Sequence, residues 1–322
     1  LLSSVSTMVR AYGVTLLDAI EKPVTARKLE AAVARYTAVG SAPKPVAPSA
    51  SFTQAEIETG MRNGEFEPFF QAKVDLKTGA LKGAEALARW RHPVKGVVLP
   101  AAFIPLMESS RRIDEFTGWM LQRAAKSCRQ WRSSGITATV SVNVSLVSLA
   151  DVGIAERYVE LIRGQGLEPR DVILEVTETA AVSDLARVLE NLSRLRMIGF
   201  GLALDDYGTG YSSMEQLTQI PFTELKIDQS FVRAALTQRS SRAILESSLE
   251  MADKLRIAAV AEGVETLEQA VLLGELGCAM AQGLFIARPM ADVEFVTWCK
   301  AHALKPPNEM APHHARQETK NK

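Results

Sequence analysis

From residue 52 onward, the spacing of apolar positions switches repeatedly between two periods. Short runs with strand character recur: "EPFFQAKVDL" at 67–76, "LKGAEALARW" at 81–90, "TATVSVNVS" at 137–145, "VILEVTE" at 172–178, "GFGLALDDY" at 199–207, "ELKID" at 224–228, "IAAVAEGVE" at 257–265 and "AMAQGLF" at 279–285. Between most of them lie helix-length segments, such as Asp114 to Arg132, Ala155 to Gln165 and Arg239 to Lys254. Strands alternating with helices over roughly 250 residues predict an α/β fold, a TIM-like (β/α)8 barrel. Strand count alone also fits an open, doubly wound sheet. Only "KTGA" separates the first two strands, a hairpin turn with Gly79. A hairpin forces antiparallel pairing, so the first strand is expected to run against the rest.

The periodicity is interrupted at 40–51, "GSAPKPVAPSAS", which reads as a linker. It sets off a short piece at 1–39 from a large domain at 52–304, and a polar tail at 305–322 reads as disordered. The short piece holds "VTLLDAI", then Lys22-Pro23, then the helical pattern "TARKLEAAVARY". The first residue is Leu1 rather than Met, as expected of a piece of something longer.

Composition narrows the function classes. Lys plus Arg and Asp plus Glu are 37 each in 322 residues, which argues against a basic DNA-binding surface. No apolar stretch approaches the roughly 20 residues needed to span a bilayer, and no basic segment followed by an apolar one, the pattern expected of a secretory signal, is visible at the start. Cys128, Cys278 and Cys299 are too few and too scattered for a disulfide framework or a zinc site. A reducing cytoplasm is the expected setting.

Polar residues cluster where the strands stop being apolar. Glu85 sits in "AEALARW", Asn143 ends "VSVNVS", and Glu175 and Glu178 end "LEVTE". Asp205 and Asp206 end "LALDD", Lys226 and Asp228 end "LKID", Glu262 and Glu265 end "AVAEGVE", and Gln282 ends "AMAQG". In a parallel barrel these carboxyl ends share one face, where active sites are built. Several carboxylates brought together need a compensating charge. Oxygen-only ligands favour hard ions such as Mg2+ or Mn2+, and two ions about 3.5–4 Å apart suit phosphodiester hydrolysis. Each residue alone also has an ordinary reading. A glutamate at a strand end is usually solvated, Asp206-Tyr207-Gly208 fits a simple turn, and Ser212 with Glu215 fits a capping box. Lys226 fits a structural ion pair, and His92 before Pro93 reads as a loop residue. Repetition on strand after strand favours a site.

At these residues the chain resembles the EAL-domain family of cyclic-di-GMP phosphodiesterases. Glu85-Ala86-Leu87 is the motif that names the family, and "FFQAKVDLKTG", "SVNVS", "LEVTE", "DDYGTGYSS", "LKIDQSFV", "AEGVE" and "QGLFIARP" follow its motifs in order. The resemblance implies a TIM-like barrel with a reversed first strand and hydrolysis of cyclic di-GMP to linear pGpG. It implies one metal on Glu85, Asn143, Glu175 and Asp205, and a second on bridging Asp205, Asp206 and Glu262. Lys226 would orient the attacking water, making Glu85, Lys226 and Glu262 the catalytic set. Gln71, Leu87, Arg89, Asp228, Glu265 and Gln282 would line the substrate pocket, with Arg89 against a phosphate. Glu178 would brace the loop that starts at Asp206, near which a homodimer interface is implied. Tyr207 stands where Phe is commoner, and Leu284 where an aromatic is frequent. The piece at 1–39 resembles the end of a response-regulator receiver domain. Its phosphoacceptor aspartate would lie upstream of Leu1, and a histidine kinase would be the upstream partner. A catalytically silent receptor, and an aldolase-type barrel that shares only the fold, are the competing classes.

Overall fold

The computed structural model describes residues 52–177, 185–208 and 220–302, together with positions 25, 27, 28 and 217. The readings of the piece at 1–39, the linker, Glu178, Ser212 with Glu215, the loop beyond Gly208 and the tail lie outside the described residues, apart from those isolated positions. The chain divides into two compact units, Leu1–Ser51 and Phe52–Lys322.

The second unit opens with helix α1 (Gln54–Arg62). Thr53 caps it: its hydroxyl accepts from the Glu56 amide at 3.2 Å, and the Glu56 carboxylate accepts from the Thr53 amide at 2.7 Å. Together the two bonds satisfy donors that a bare helix start leaves unpaired. Strand β1 (Phe66–Asp75) alternates buried and half-buried positions, as a strand with one inward face should. It turns into β2 (Leu81–His92) through a tight corner. There the Asp75 carboxylate accepts from the amides of Lys77 and Thr78, and Gly79 takes φ +71°.

Around the barrel follow β4 (Thr139–Asn143), β5 (Val172–Thr177), β6 (Gly201–Tyr207), β7 (Glu224–Ile227), β8 (Ala258–Ala261) and β9 (Met280–Ala281). β1 pairs antiparallel with both β2 and β9, and the remaining neighbours in the ring pair in parallel. Eight strands therefore close on themselves, with the first reversed, and the open-sheet alternative falls. A short strand that the sequence pattern did not reveal, β3 (Gly96–Val98), hangs from the outer end of β2.

The parallel strands are buried on both faces, and helices cover the outside. The longest, Ile113–Ser133, packs Phe116, Met120, Ala124, Cys128 and Trp131 inward at near-helical spacing. Trp131 Nε1 donates to Asp292 Oδ1 at 2.7 Å, tying in the last described helix, Asp292–His302. The last strands are shorter than their apolar runs. Gly263 turns to φ +59° at the end of β8. Strand β9 spans only Met280–Ala281, and beyond it Gly283 approaches the Val264 backbone so closely that a Cβ would lie 2.2 Å from it.

Candidate active site

Side chains two apart on a strand share a face, and the barrel interior is layered accordingly. Gln71 pairs with Glu85 in register, Asn143 with Glu175, and Thr177 with Asp205. Glu85, Glu175, Asp205, Lys226 and Gln282 are all buried, and Glu262 is half-buried.

At the centre stands the Lys226 ammonium. Nζ lies 2.6 Å from Glu175 Oε2, 2.8 Å from Glu262 Oε1, 2.9 Å from Asp205 Oδ1 and 3.3 Å from Glu85 Oε2. Amides fix Glu85 further. Asn143 donates to its Oε1 at 2.9 Å, and Gln282 donates to its Oε2 at 2.6 Å and to Gln71 Oε1 at 3.0 Å. Gln71 in turn donates to the Ala287 carbonyl at 3.0 Å.

Two adjacent aspartates join one site because β6 does not stay straight. Its register with β7 slips between Leu204 and Tyr207, and Asp206 takes a left-handed φ of +54°. Aspartate tolerates that region better than most residues, and a bulge of this kind re-aims a side chain. Oxygens of Glu85, Glu175 and Asp205 lie within 4.8 Å of one another, as do those of Asp205, Asp206 and Glu262. Asp205 belongs to both groups.

The crowding shows in the ionisation. Burial pushes Glu85 up, but Lys226 and the bonds from Gln282 and Asn143 outweigh it and bring it down to about 2. Burial, and the neighbouring charge of Glu85, push Glu175 up to about 8 against Lys226 and Lys73. Burial likewise pushes Glu262 up to about 8, with Asp205 and Glu85 adding to it. Burial, then Asp205 and Asp228, raise Asp206. Burial works against the charge on Lys226, yet Glu175, Glu85, Glu262 and Asp205 hold it well above the usual lysine range. A single ammonium thus satisfies only part of the set. Glu175 Oε1 is buried without a hydrogen-bond partner. It faces the Lys73 ammonium at 3.7 Å, and two groups of converging carboxylate oxygens that share Asp205, with no imidazole or thiolate in either, fit a hard divalent cation.

A cavity of about 370 Å³ opens over this layer, lined by Gln71, Glu85, Leu87, Asp205, Lys226, Glu262, Glu265 and Gln282 together with exposed Leu284. A second hollow of about 440 Å³ lies beside it along Leu87, Asn143, Asp205 and Asp206, walled by Pro100, Ile104, Phe116 and Met120. The predicted residues Arg89 and Asp228 line neither hollow. Arg89 donates to the Ala88 carbonyl at 2.8 Å and sits 5.7 Å from the Phe69 ring. Asp228 caps helix Gln229–Ala234 by accepting from the Ser230 amide at 2.9 Å. His92, read from the sequence as a loop residue, is instead the last residue of β2, and its Nδ1 accepts from the amides of Val94 and Lys95 in the turn that follows. Sequence reasoning missed Lys73, Ser141 and Glu224 beneath the site. The signal was available, since Lys73 follows Gln71 by two, and Ser141 and Glu224 precede Asn143 and Lys226 by two.

The chain belongs to the EAL domain family, whose pattern matches residues 54–289. It is 38% identical to the cyclic di-GMP phosphodiesterase RocR of Pseudomonas aeruginosa over 294 residues, covering 91% of this chain and 75% of RocR. It is 37% identical to the bifunctional diguanylate cyclase/cyclic di-GMP phosphodiesterase MucR of the same organism, covering 69% of this chain and 32% of that longer protein. The solved PaMucR phosphodiesterase in complex with c-di-GMP superposes with a TM-score of 0.71 at 34% identity, covering 75% of this chain and 98% of that structure. Among the described residues, no helix is long and apolar enough to cross a membrane.

Proposed function

We infer that this chain is a cyclic-di-GMP phosphodiesterase that cleaves one phosphodiester of the ring to give linear pGpG. The observation that carries the reading is the charge of the layer. Five carboxylates, Glu85, Glu175, Asp205, Asp206 and Glu262, gather around one ammonium, Lys226, while the second nearby ammonium, Lys73, is matched by Glu224. The formal excess is four negative charges, the charge of two divalent cations. Asp205, common to both oxygen groups, suits a bridging role. Glu85, Asn143, Glu175 and Asp205 would hold one Mg2+ or Mn2+, and Asp205, Asp206 and Glu262 the other. Bound cations supply Lewis acidity to a phosphoryl oxygen and make a water nucleophilic near neutral pH.

The remaining work falls to the protein. Lys226 donates hydrogen bonds that orient the attacking water, and Glu262 accepts a proton from it. The water oxygen bonds to phosphorus, the bond from phosphorus to the 3′ oxygen breaks, and a 3′-hydroxyl and a 5′-phosphate result. Gln71, Leu87, Glu265 and Gln282 line the cavity where the nucleotide would lie, and Gln282 and Asn143 keep Glu85 turned toward the cation. Arg89 is half-buried on the inward register of Glu85 and Leu87, and reaches a phosphate by leaving the Ala88 carbonyl. The compact-unit boundary at Ser51/Phe52 supports a catalytic domain beginning at 52. The response-regulator reading of the piece at 1–39 rests on its Lys22-Pro23 pair and the helical pattern after it.

The test is incubation with cyclic di-GMP and Mg2+ or Mn2+, with products separated by chromatography. Linear pGpG is expected. Tight binding without turnover would overturn the enzyme in favour of a receptor.

A further inference from the structure

Beneath the carboxylate layer the barrel holds a second buried ammonium. Lys73 Nζ donates to Ser141 Oγ at 2.6 Å and to Glu224 Oε2 at 2.7 Å. It also lies 3.7 Å from Glu175 Oε1, the oxygen that has no hydrogen-bond partner. The other oxygen of Glu175 accepts from Lys226 at 2.6 Å. Each oxygen of this fully buried carboxylate therefore faces its own ammonium. The space for Lys73 is made across the hairpin at Gly83, its partner in register. A Cβ there would come within 3.2 Å of Lys73 Cε and 2.7 Å of Thr139 Oγ1.

Stability alone is a poor account of this arrangement. A buried ion pair can often be replaced by apolar groups of similar volume with no loss. The Lys73–Glu224 pair is instead placed directly behind Glu175, which among the described carboxylates of this layer has a buried oxygen without a hydrogen-bond partner. We propose that Lys73 is a positioning residue for the hydrolytic site, acting through Glu175. Anchored by Ser141 and Glu224, its ammonium fixes the plane of the Glu175 carboxylate, so that Glu175 meets the cation without rearrangement. The inference rests on the function proposed above, with Glu175 as a cation ligand. Outer partners of ligating carboxylates act in this way at metal sites generally.

The test compares the wild-type chain with two variants. Lys73→Met with Glu224→Gln removes one positive and one negative charge, so the net charge around the cation is unchanged. Ser141→Ala removes one anchor and keeps both charges. Melting of the chelated proteins checks the fold, calorimetry with Mn2+ alone measures cation affinity, and steady-state hydrolysis separates kcat from KM. The charge-neutral double variant is expected to lose about ten- to a hundredfold in Mn2+ affinity and in kcat. Its KM for cyclic di-GMP should stay within about threefold, because the groups facing the nucleotide are untouched. Ser141→Ala is expected to lose about fivefold in Mn2+ affinity, the worth of one hydrogen bond. Wild-type Mn2+ affinity in either folded variant overturns the proposal, as does a lowered melting temperature with unchanged kcat and affinity. If the double variant does not fold, Ser141→Ala decides alone. A wild-type chain that binds Mn2+ without hydrolysing cyclic di-GMP overturns the proposed function and leaves the affinity comparison decisive for Lys73. No Mn2+ binding by the wild type overturns both.

Discussion

Lys226 and Lys73 are equally buried and stand on inward faces of the same barrel, yet they keep different company. Lys73 has one carboxylate at bonding distance, Glu224, and one hydroxyl, Ser141. Lys226 has four carboxylates within 3.3 Å. A buried ammonium is costly unless it is paired and hydrogen-bonded, and the lower region meets that need nearly one for one. The upper region overshoots it. The surplus is visible as two carboxyls, Glu175 and Glu262, pushed up to about 8, while Glu85 alone is brought down to about 2. The contrast teaches that the ratio of opposite charges, more than the burial of any one group, separates a structural ion pair from a site that calls for a further cation.

Chelation should break the contrast most completely, reducing hydrolysis to background. Calcium should fail to restore it, since its larger radius and looser coordination suit a different cage; chromatography of pGpG after metal exchange checks both. Glu85→Ala and Asp205→Ala should each cost at least about a hundredfold in turnover, more than the loss of an outer partner, with Mn2+ affinity falling in parallel by calorimetry. Lys226→Ala should lower kcat by about a hundredfold and KM little, as for loss of a proton-handling group. A pure KM effect would reassign Lys226 to the substrate phosphate.

The surplus charge also predicts a pH dependence. Glu175 and Glu262 have folded-state values near 8, above their ordinary 4.5, so each contributes stability that is full below about 4.5 and lost as pH rises to about 8. Glu85 has the opposite sign, and its contribution is lost only as pH falls below 4.5 toward about 2. The melting temperature of chelated protein should therefore fall between pH 5 and 8, and Mn2+ should flatten that slope; a chelated protein whose melting temperature rises across this range would contradict the surplus. The smallest effect belongs to the rim. Glu265 pairs with Arg233 at 3.3 Å, and both are well exposed. Arg233→Ala should cost less than about 1 kcal/mol by denaturant titration.

Much of the upper region was legible because most strands announce their own ends. Asn143, Glu175, Asp205, Lys226 and Glu262 stand at or near the ends of their strands, Glu85 lies in mid-strand in β2, and the structure gathers them. The "KTGA" corner likewise implied the reversed strand. Less was legible where spatial neighbours decide. Nothing in "LALDDY" indicates that Asp206 adopts a left-handed backbone, because the slip of β6 against β7 is a property of the pair. The last apolar run, "AMAQGLF", yields only Met280–Ala281 as strand, and the chain beyond packs Gly283 against the Val264 backbone, a neighbour the run itself does not name. Lys73 lies inside its apolar run and Glu224 opens one, so the spacing that relates them to Gln71 and Lys226 gains weight only once opposite walls of a closed barrel are seen to meet.

The reversed β1 has a consequence for how the domain can be handled. In an all-parallel barrel the first strand starts at the face away from the site. Here it starts at the working face: Phe66 pairs with Trp90 beyond the catalytic layer, and α1 approaches there, with Gly60 against the Trp90 ring. The last described helix finishes at the other pole, where the His302 ring nitrogen lies 2.9 Å from the Gly79 carbonyl at the hairpin corner. The two ends of the barrel domain are thus a front door and a back door. A module joined just before Thr53 is attached on the side of the working face, whereas one joined after His302 is attached at the hairpin pole.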